Sequence, residues 1–156
     1  MRGLINVRYR VAPSLIAGAG KGFFLEETVA AGRVLIAPGH VAATTPVAAV
    51  FSANPPPHAE TSVIWYEDQC VLSPDFPDDF YINHSFSPNA LWHLGFVFAL
   101  RDLAAGEELL LDYRHLIADG VTLDFLDGDT GAPITGHAWR DKLRLAASQL
   151  LALPAP

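Results

Sequence analysis

A chain of 156 residues, 51% of them apolar, can bury one good core, so a single domain is expected. Ten lysines and arginines against 17 acidic residues leave a net charge of −7, which argues against nucleic-acid binding through a broad basic surface. One cysteine, Cys70, excludes an intrachain disulfide and any cysteine-rich zinc cluster; with no long apolar segment near the amino terminus, a cytoplasmic protein without a membrane span is expected.

From Leu4 to Val11 apolar and polar residues alternate, the period of a half-buried strand, and Pro13-Ser14 ends it. Gly18 to Gly22 reads as a glycine-rich turn before a short strand from Phe23 to Glu26. Ala30-Ala31-Gly32-Arg33 is a turn leading to an apolar strand from Val34 to Ala37. Residues 52–60 carry three consecutive prolines without amide donors, so they form an exposed loop. Ser62 to Tyr66 and Gln69 to Leu72 pair as a hairpin around Glu67-Asp68, and Pro74 to Asp79 is rich in turns. Between Leu123 and Gly131 the pattern is strand, tight Asp-Gly turn, extended chain. The acidic run Asp124, Asp127 and Asp129 lacks the spacing of a calcium loop and reads as a solvated turn. One helix is expected, from about Gly136 to Leu151, because Trp139, Leu143, Ala146, Ala147 and Leu150 fall at i, i+4, i+7, i+8 and i+11. Short strands between Gly/Pro turns and one late helix make the chain a mostly β domain of small sheets.

Three stretches carry the chemistry. Gly18-Ala19-Gly20-Lys21-Gly22-Phe23-Phe24 is followed by Tyr81-Ile82-Asn83-His84-Ser85-Phe86-Ser87-Pro88-Asn89, and then by Gly106-Glu107-Glu108-Leu109-Leu110-Leu111-Asp112-Tyr113. In this order they resemble the motifs of the SET-domain family of protein lysine methyltransferases, GxGxFA, FINHSCxPN and GEELxxDY, and Arg101-Asp102-Leu103 resembles the RDI between the last two. The resemblance covers about residues 3 to 113. It implies a β-clip arrangement of small sheets in which the Asn-His segment is threaded beneath a later strand as a pseudoknot. Residues 1–113 would form the catalytic core and residues 114–156, with their helix, a closing segment.

The resemblance further implies S-adenosylmethionine as cofactor, held by Gly20, Lys21, Gly22, Asn83 and His84, and a lysine-containing protein or peptide as substrate. Tyr113 is the implied catalytic residue, and Phe98, with Tyr66 and Tyr81, the implied wall of the lysine channel. By the same resemblance, phenylalanine at position 98 implies room for di- or trimethylation. The chemistry asks for such a site. At neutral pH roughly one lysine in a thousand is a free amine, and an apolar channel raises that share by desolvation.

Phe86 stands where many members of that family have a zinc-binding cysteine, and no cysteine follows it, so closure must come from packing, with Phe125 and Trp139 as candidates. So small a recognition region leaves room for a homodimer to complete the channel. No HxH, HExxH or GxSxG spacing is present, so no metal site and no serine nucleophile are expected, and Cys70 reads as a buried structural residue. The rival reading is a module that keeps the pocket and binds cofactor or a protein partner with little turnover.

Overall fold

The computed structural model describes residues 3–41, 43–52, 62–73 and 75–154. Their order is β1 (Leu4–Ile5), β2 (Tyr9–Pro13), β3 (Lys21–Leu25), β4 (Val34–Ala37), β5 (Thr45–Pro46), α1 (Val47–Ser52), β6 (Ser62–Tyr66), β7 (Gln69–Leu72), β8 (Asn83–His84), β9 (Ala90–His93), β10 (Phe96–Ala99), β11 (Leu110–Leu111), β12 (Thr122–Leu126), β13 (Pro133–Thr135) and α2 (Trp139–Leu151). The architecture is mostly β, in small sheets, with a carboxyl-terminal helix. An antiparallel sheet of order β1-β4-β10-β9 is joined by the β2-β3 pair, the β5-β7-β6 sheet, the β12-β13 pair and a short β11-β8 pair.

The alternation from Leu4 to Val11 belongs to two strands. β1 pairs with β4 and β2 with β3, with Val7 buried at the crossing and the Asn6 amide donating to the Leu35 carbonyl at 2.8 Å. Alternation specifies which face is buried and leaves the pairing partner open, so one pattern can feed two sheets. Strand β4 and the hairpin β6-β7 take the expected bounds. A short helix, α1, was not foreshadowed by any helical period; its Val50 packs with Ile64 and Cys70 in a small second core. Cys70 is buried and donates its thiol to the Thr45 carbonyl at 3.2 Å. The expected proline-rich loop lies outside the described residues, apart from Ser52, the last residue of α1.

Helix α2 begins at Trp139 and is rotated so that its buried face overlaps only part of its apolar stripe. Lys142 and Ala146 are buried, while Leu143, at 38% exposure, and Leu145 face outward. The rotation follows from one polar contact: the Lys142 ammonium donates to the Ile117 carbonyl at 2.6 Å, burying the four-carbon stem with it. No helix among the described residues is long and apolar enough to cross a membrane.

The main core joins Phe23, Leu25, Leu35, Trp92, Val97, Leu109 and Leu111, drawn from β3, β4, β9, β10, β11 and the segment leading into β11. That segment runs along β3: the Leu25 amide donates to the Glu107 carbonyl and the Leu109 amide to the Phe23 carbonyl. Beyond it, β11 lies parallel to β8, with Leu110 opposite Asn83 and Leu111 opposite His84. A parallel pair needs a long crossover, here supplied by β9, β10 and the turn after them. All three motif stretches therefore meet in one region.

Candidate active site

Buried hydrogen bonds hold the motif residues together. Asn89, buried in the turn after β8, donates its amide to the Glu108 carbonyl at 2.8 Å and to Glu107 Oε1 at 3.1 Å. Its Oδ1 accepts from the Leu110 amide at 2.8 Å. Glu107 is also paired with the Arg101 guanidinium. Glu108, only 5% exposed, takes Ser14 Oγ at 2.7 Å and Asn83 Nδ2 at 2.9 Å on Oε1, and the Leu15 amide at 2.8 Å on Oε2. Asn83 Nδ2 further donates to the Lys21 carbonyl at 2.9 Å and to Ser14 Oγ at 3.1 Å. The amide thus spends its donors on the protein, and its Oδ1 has no protein partner among the described residues. A buried carboxylate so supplied with donors is satisfied rather than costly.

Gly22 is where Glu108 meets the glycine-rich stretch. A Cβ on Gly22 would overlap Glu108 Oε1 and stand 2.7 Å from its Cδ, so the missing side chain makes room for the carboxylate. Gly20 differs: at φ +75 it is left-handed, and a Cβ there would meet nothing within 4 Å. Its glycine is required by the backbone alone.

His84 is buried, and its Nδ1 accepts the Tyr113 amide at 3.0 Å. Burial lowers its pKa, against the pull of Asp112 and Asp127, so the ring is neutral. The Tyr113 hydroxyl donates to the Ile82 carbonyl at 2.7 Å, and burial pushes its pKa up to about 12. Burial also works to raise the Asp112 carboxyl, but the Arg114 guanidinium that forks onto it holds it below the ordinary carboxylate range. Arg114 also lies 4.3 Å over the Phe86 ring, and Phe86 meets the His84 ring edge-on at 4.8 Å.

These groups surround a cavity of about 430 Å³. The β2-β3 turn contributes Ile16, Ala17, Gly18 and Ala19 to it, β8 contributes Asn83 and His84, and the end of β11 contributes Tyr113. Phe125, Leu126 and Gly128 of the β12-β13 hairpin complete it. Asn83, His84 and Tyr113 thus share one cavity. Gly20, Lys21 and Gly22 are not among its lining residues; the turn just before them is, and Lys21 Nζ lies 5.4 Å from the Tyr81 ring centroid.

The structure does not bring Phe98, Tyr66 or Tyr81 to this cavity. Phe98 sits in β10 opposite Leu91, its ring 5.9 Å from that of Phe96. Tyr66 is exposed beside Thr44, and Tyr81 packs on Phe76. Of the two aromatics expected to close the site, Phe125 lines the cavity with its ring 6.5 Å from Tyr113, whereas Trp139 opens α2 and does not. Asp127 corrects the reading of its acidic run as a solvated turn: Asp124 and Asp129 are exposed, but Asp127 is 3% exposed and turned inward. Nothing in its Asp-Gly context distinguishes it, because burial there depends on the distant Phe86 and His84. Asn89 and Glu108, by contrast, were visible as members of their motifs without a stated role.

The family model described as SET domain matches residues 20–114. No curated protein matches the chain.

Proposed function

The chain belongs to the SET-domain family, and from that premise we propose that it transfers a methyl group from S-adenosylmethionine to a lysine side chain of a protein. The observation that carries this reading is the single cavity shared by Asn83, His84 and Tyr113, two motifs brought side by side by the parallel β8-β11 pair. Its volume lies within the roughly 300–1,000 Å³ of small-molecule sites.

The residues present fit the cofactor. Asn83, its amide committed to Glu108, Ser14 and Lys21, keeps Oδ1 as an acceptor for an ammonium group. Small side chains at Ala17, Gly18 and Ala19 let a ligand approach the backbone, and Phe125 and Leu126 offer apolar surface to a flat ring. When bound, S-adenosylmethionine supplies an electrophilic methyl group on a sulfonium.

Tyr113 orients the acceptor and does not remove its proton. With a pKa of about 12 its phenol stays protonated at neutral pH, and that proton is held on the Ile82 carbonyl. The oxygen lone pairs remain free to accept from the lysine nitrogen and aim its own lone pair at the methyl group. The amine sheds its proton to solvent beforehand, favoured by the apolar surroundings. Residues 114–156 close the site through the β12-β13 hairpin, in place of a zinc-bound tail.

Tyr113→Phe tests the assignment. Its loss of one buried hydrogen bond should cost about 1 kcal/mol in denaturation. Calorimetry with S-adenosylmethionine should show nearly unchanged binding, while mass spectrometry of lysine-rich proteins should show methyl transfer abolished. Full turnover by the variant removes Tyr113 from the mechanism. Cofactor binding by the native chain without a methylated product on any lysine-rich protein favours a binding module instead.

A further inference from the structure

A buried carboxylate at a hairpin turn needs a reason, and the two oxygens of Asp127 have different partners. Oδ2 closes the turn, accepting from the Thr130 amide at 2.8 Å and from Thr130 Oγ1 at 2.7 Å. Oδ1 reaches out of the hairpin to the Asn-His segment, accepting from the Phe86 amide at 3.4 Å and standing 3.6 Å from His84 Nε2. The latter distance is long for a hydrogen bond but close for a charge facing an N–H dipole. The side chains of His84 and Asp127 are 4% and 1% exposed, so water screens them little.

The tautomer follows from the other side of the ring. Nδ1 accepts the Tyr113 amide, so in neutral His84 the proton must be on Nε2. Buried Nε2 has no hydrogen-bond partner, and the carboxylate is the group it faces. We propose that Asp127 is a positioning residue: its carboxylate holds His84 in the tautomer that accepts the Tyr113 amide, and so ties the hairpin bearing Phe125 to the strand end bearing Tyr113. The consequence for cofactor binding rests on the proposed function; the tautomer does not.

Three charged groups act on the ring, two from the segment that follows β11 and one from the hairpin. Asp112, from the end of β11, and Asp127, from the hairpin, favour its cation, while Arg114, stacked on Phe86, opposes it; burial outweighs the two carboxylates. A second proton would enter at Nδ1 and set a donor against the Tyr113 amide. Acid should therefore loosen Tyr113, and removing the Asp127 charge should move that transition to lower pH.

Histidine-ring NMR of the full chain tests this without any cofactor. Native His84 should show the Nε2–H tautomer. In Asp127→Asn its titration midpoint should fall, and the Nδ1–H tautomer should gain population, because the new amide can donate to Nε2. Thr130→Val, which loosens the turn but leaves the carboxylate opposite the ring, should titrate as the native chain does. Asp127→Asn should also weaken S-adenosylmethionine binding by about tenfold, the scale of a lost charge-assisted contact. An Nδ1–H tautomer in the native protein overturns the proposal without recourse to a variant. So does an unshifted titration in Asp127→Asn, or an equal shift in Thr130→Val. Should no form bind S-adenosylmethionine, the cofactor reading fails and the ring titration still decides the role of Asp127.

Discussion

Substituting Gly22 by alanine should cost far more than the same change two residues earlier. The added methyl would occupy the place of Glu108 Oε1, which is held by Ser14 Oγ and Asn83 Nδ2 in a carboxylate only 5% exposed. A flexible surface glutamate could swing aside, but this one is also fixed through Oε2 by the Leu15 amide. Losing the two bonds to Oε1, at roughly 1.5–3 kcal/mol each for a charged acceptor, gives an expected destabilisation of about 3–6 kcal/mol. Gly20→Ala, with open space around it and φ +75, should lose only the left-handed backbone term of about 1–2 kcal/mol. Urea denaturation followed by circular dichroism reads both. If the collision with Glu108 is the cause, adding Glu108→Ala should remove most of the extra cost of Gly22→Ala. Equal losses for the two glycine variants, or additive losses in the Gly22→Ala/Glu108→Ala double variant, would refute the reasoning.

Stability should fall in acid through His115. Burial pushes its pKa down from 6.5 to about 4, with Asp112 opposing and His137, Lys142 and Arg114 assisting. The unfolded chain takes up the proton first, so stability is fully present above the unfolded value and is lost as the pH drops through 6.5 toward 4, by about 3 kcal/mol. Denaturant midpoints across that range should show the slope, and His115→Gln should remove the larger part of it. Phe125→Ala, at a position already 47% exposed, should leave stability within about 1 kcal/mol yet weaken S-adenosylmethionine binding by about tenfold in calorimetry. Unchanged affinity would mean that the hairpin does not touch the cofactor.

Several elements were legible because their signals are local. The two-residue turn at Glu67-Asp68 locates β6-β7, and the Asp-Gly pair marks where β12 ends, since turn geometry depends on neighbours a few positions away. Residues 127–132 still intervene before β13. The alternation from Leu4 to Val11 predicts one strand where the chain makes β1 and β2. The apolar stripe of α2 marks Ala146, which is buried, but also Leu143, which is exposed while Lys142 is buried. In both cases the pattern was real, but the partner that decides its use lies elsewhere in the chain. The candidate site was legible in a different way. Nothing in the spacing of His84 and Tyr113, twenty-nine residues apart, predicts their contact; only the resemblance of whole motifs suggested it.

Short strands between Gly/Pro turns determined a mostly β domain, and the resemblance of three ordered motifs pointed to the SET-domain family. They are properties of the chain as a string, and folding does not alter them. The tertiary structure alone decided that Gly22 yields its space to Glu108, that Asp127 turns inward to His84, and that Phe125 rather than Trp139 reaches the cavity. Each of these depends on the burial of a polar or aromatic group against residues far away in sequence. The free energy of such a group is set by the partners that surround it once water has been removed.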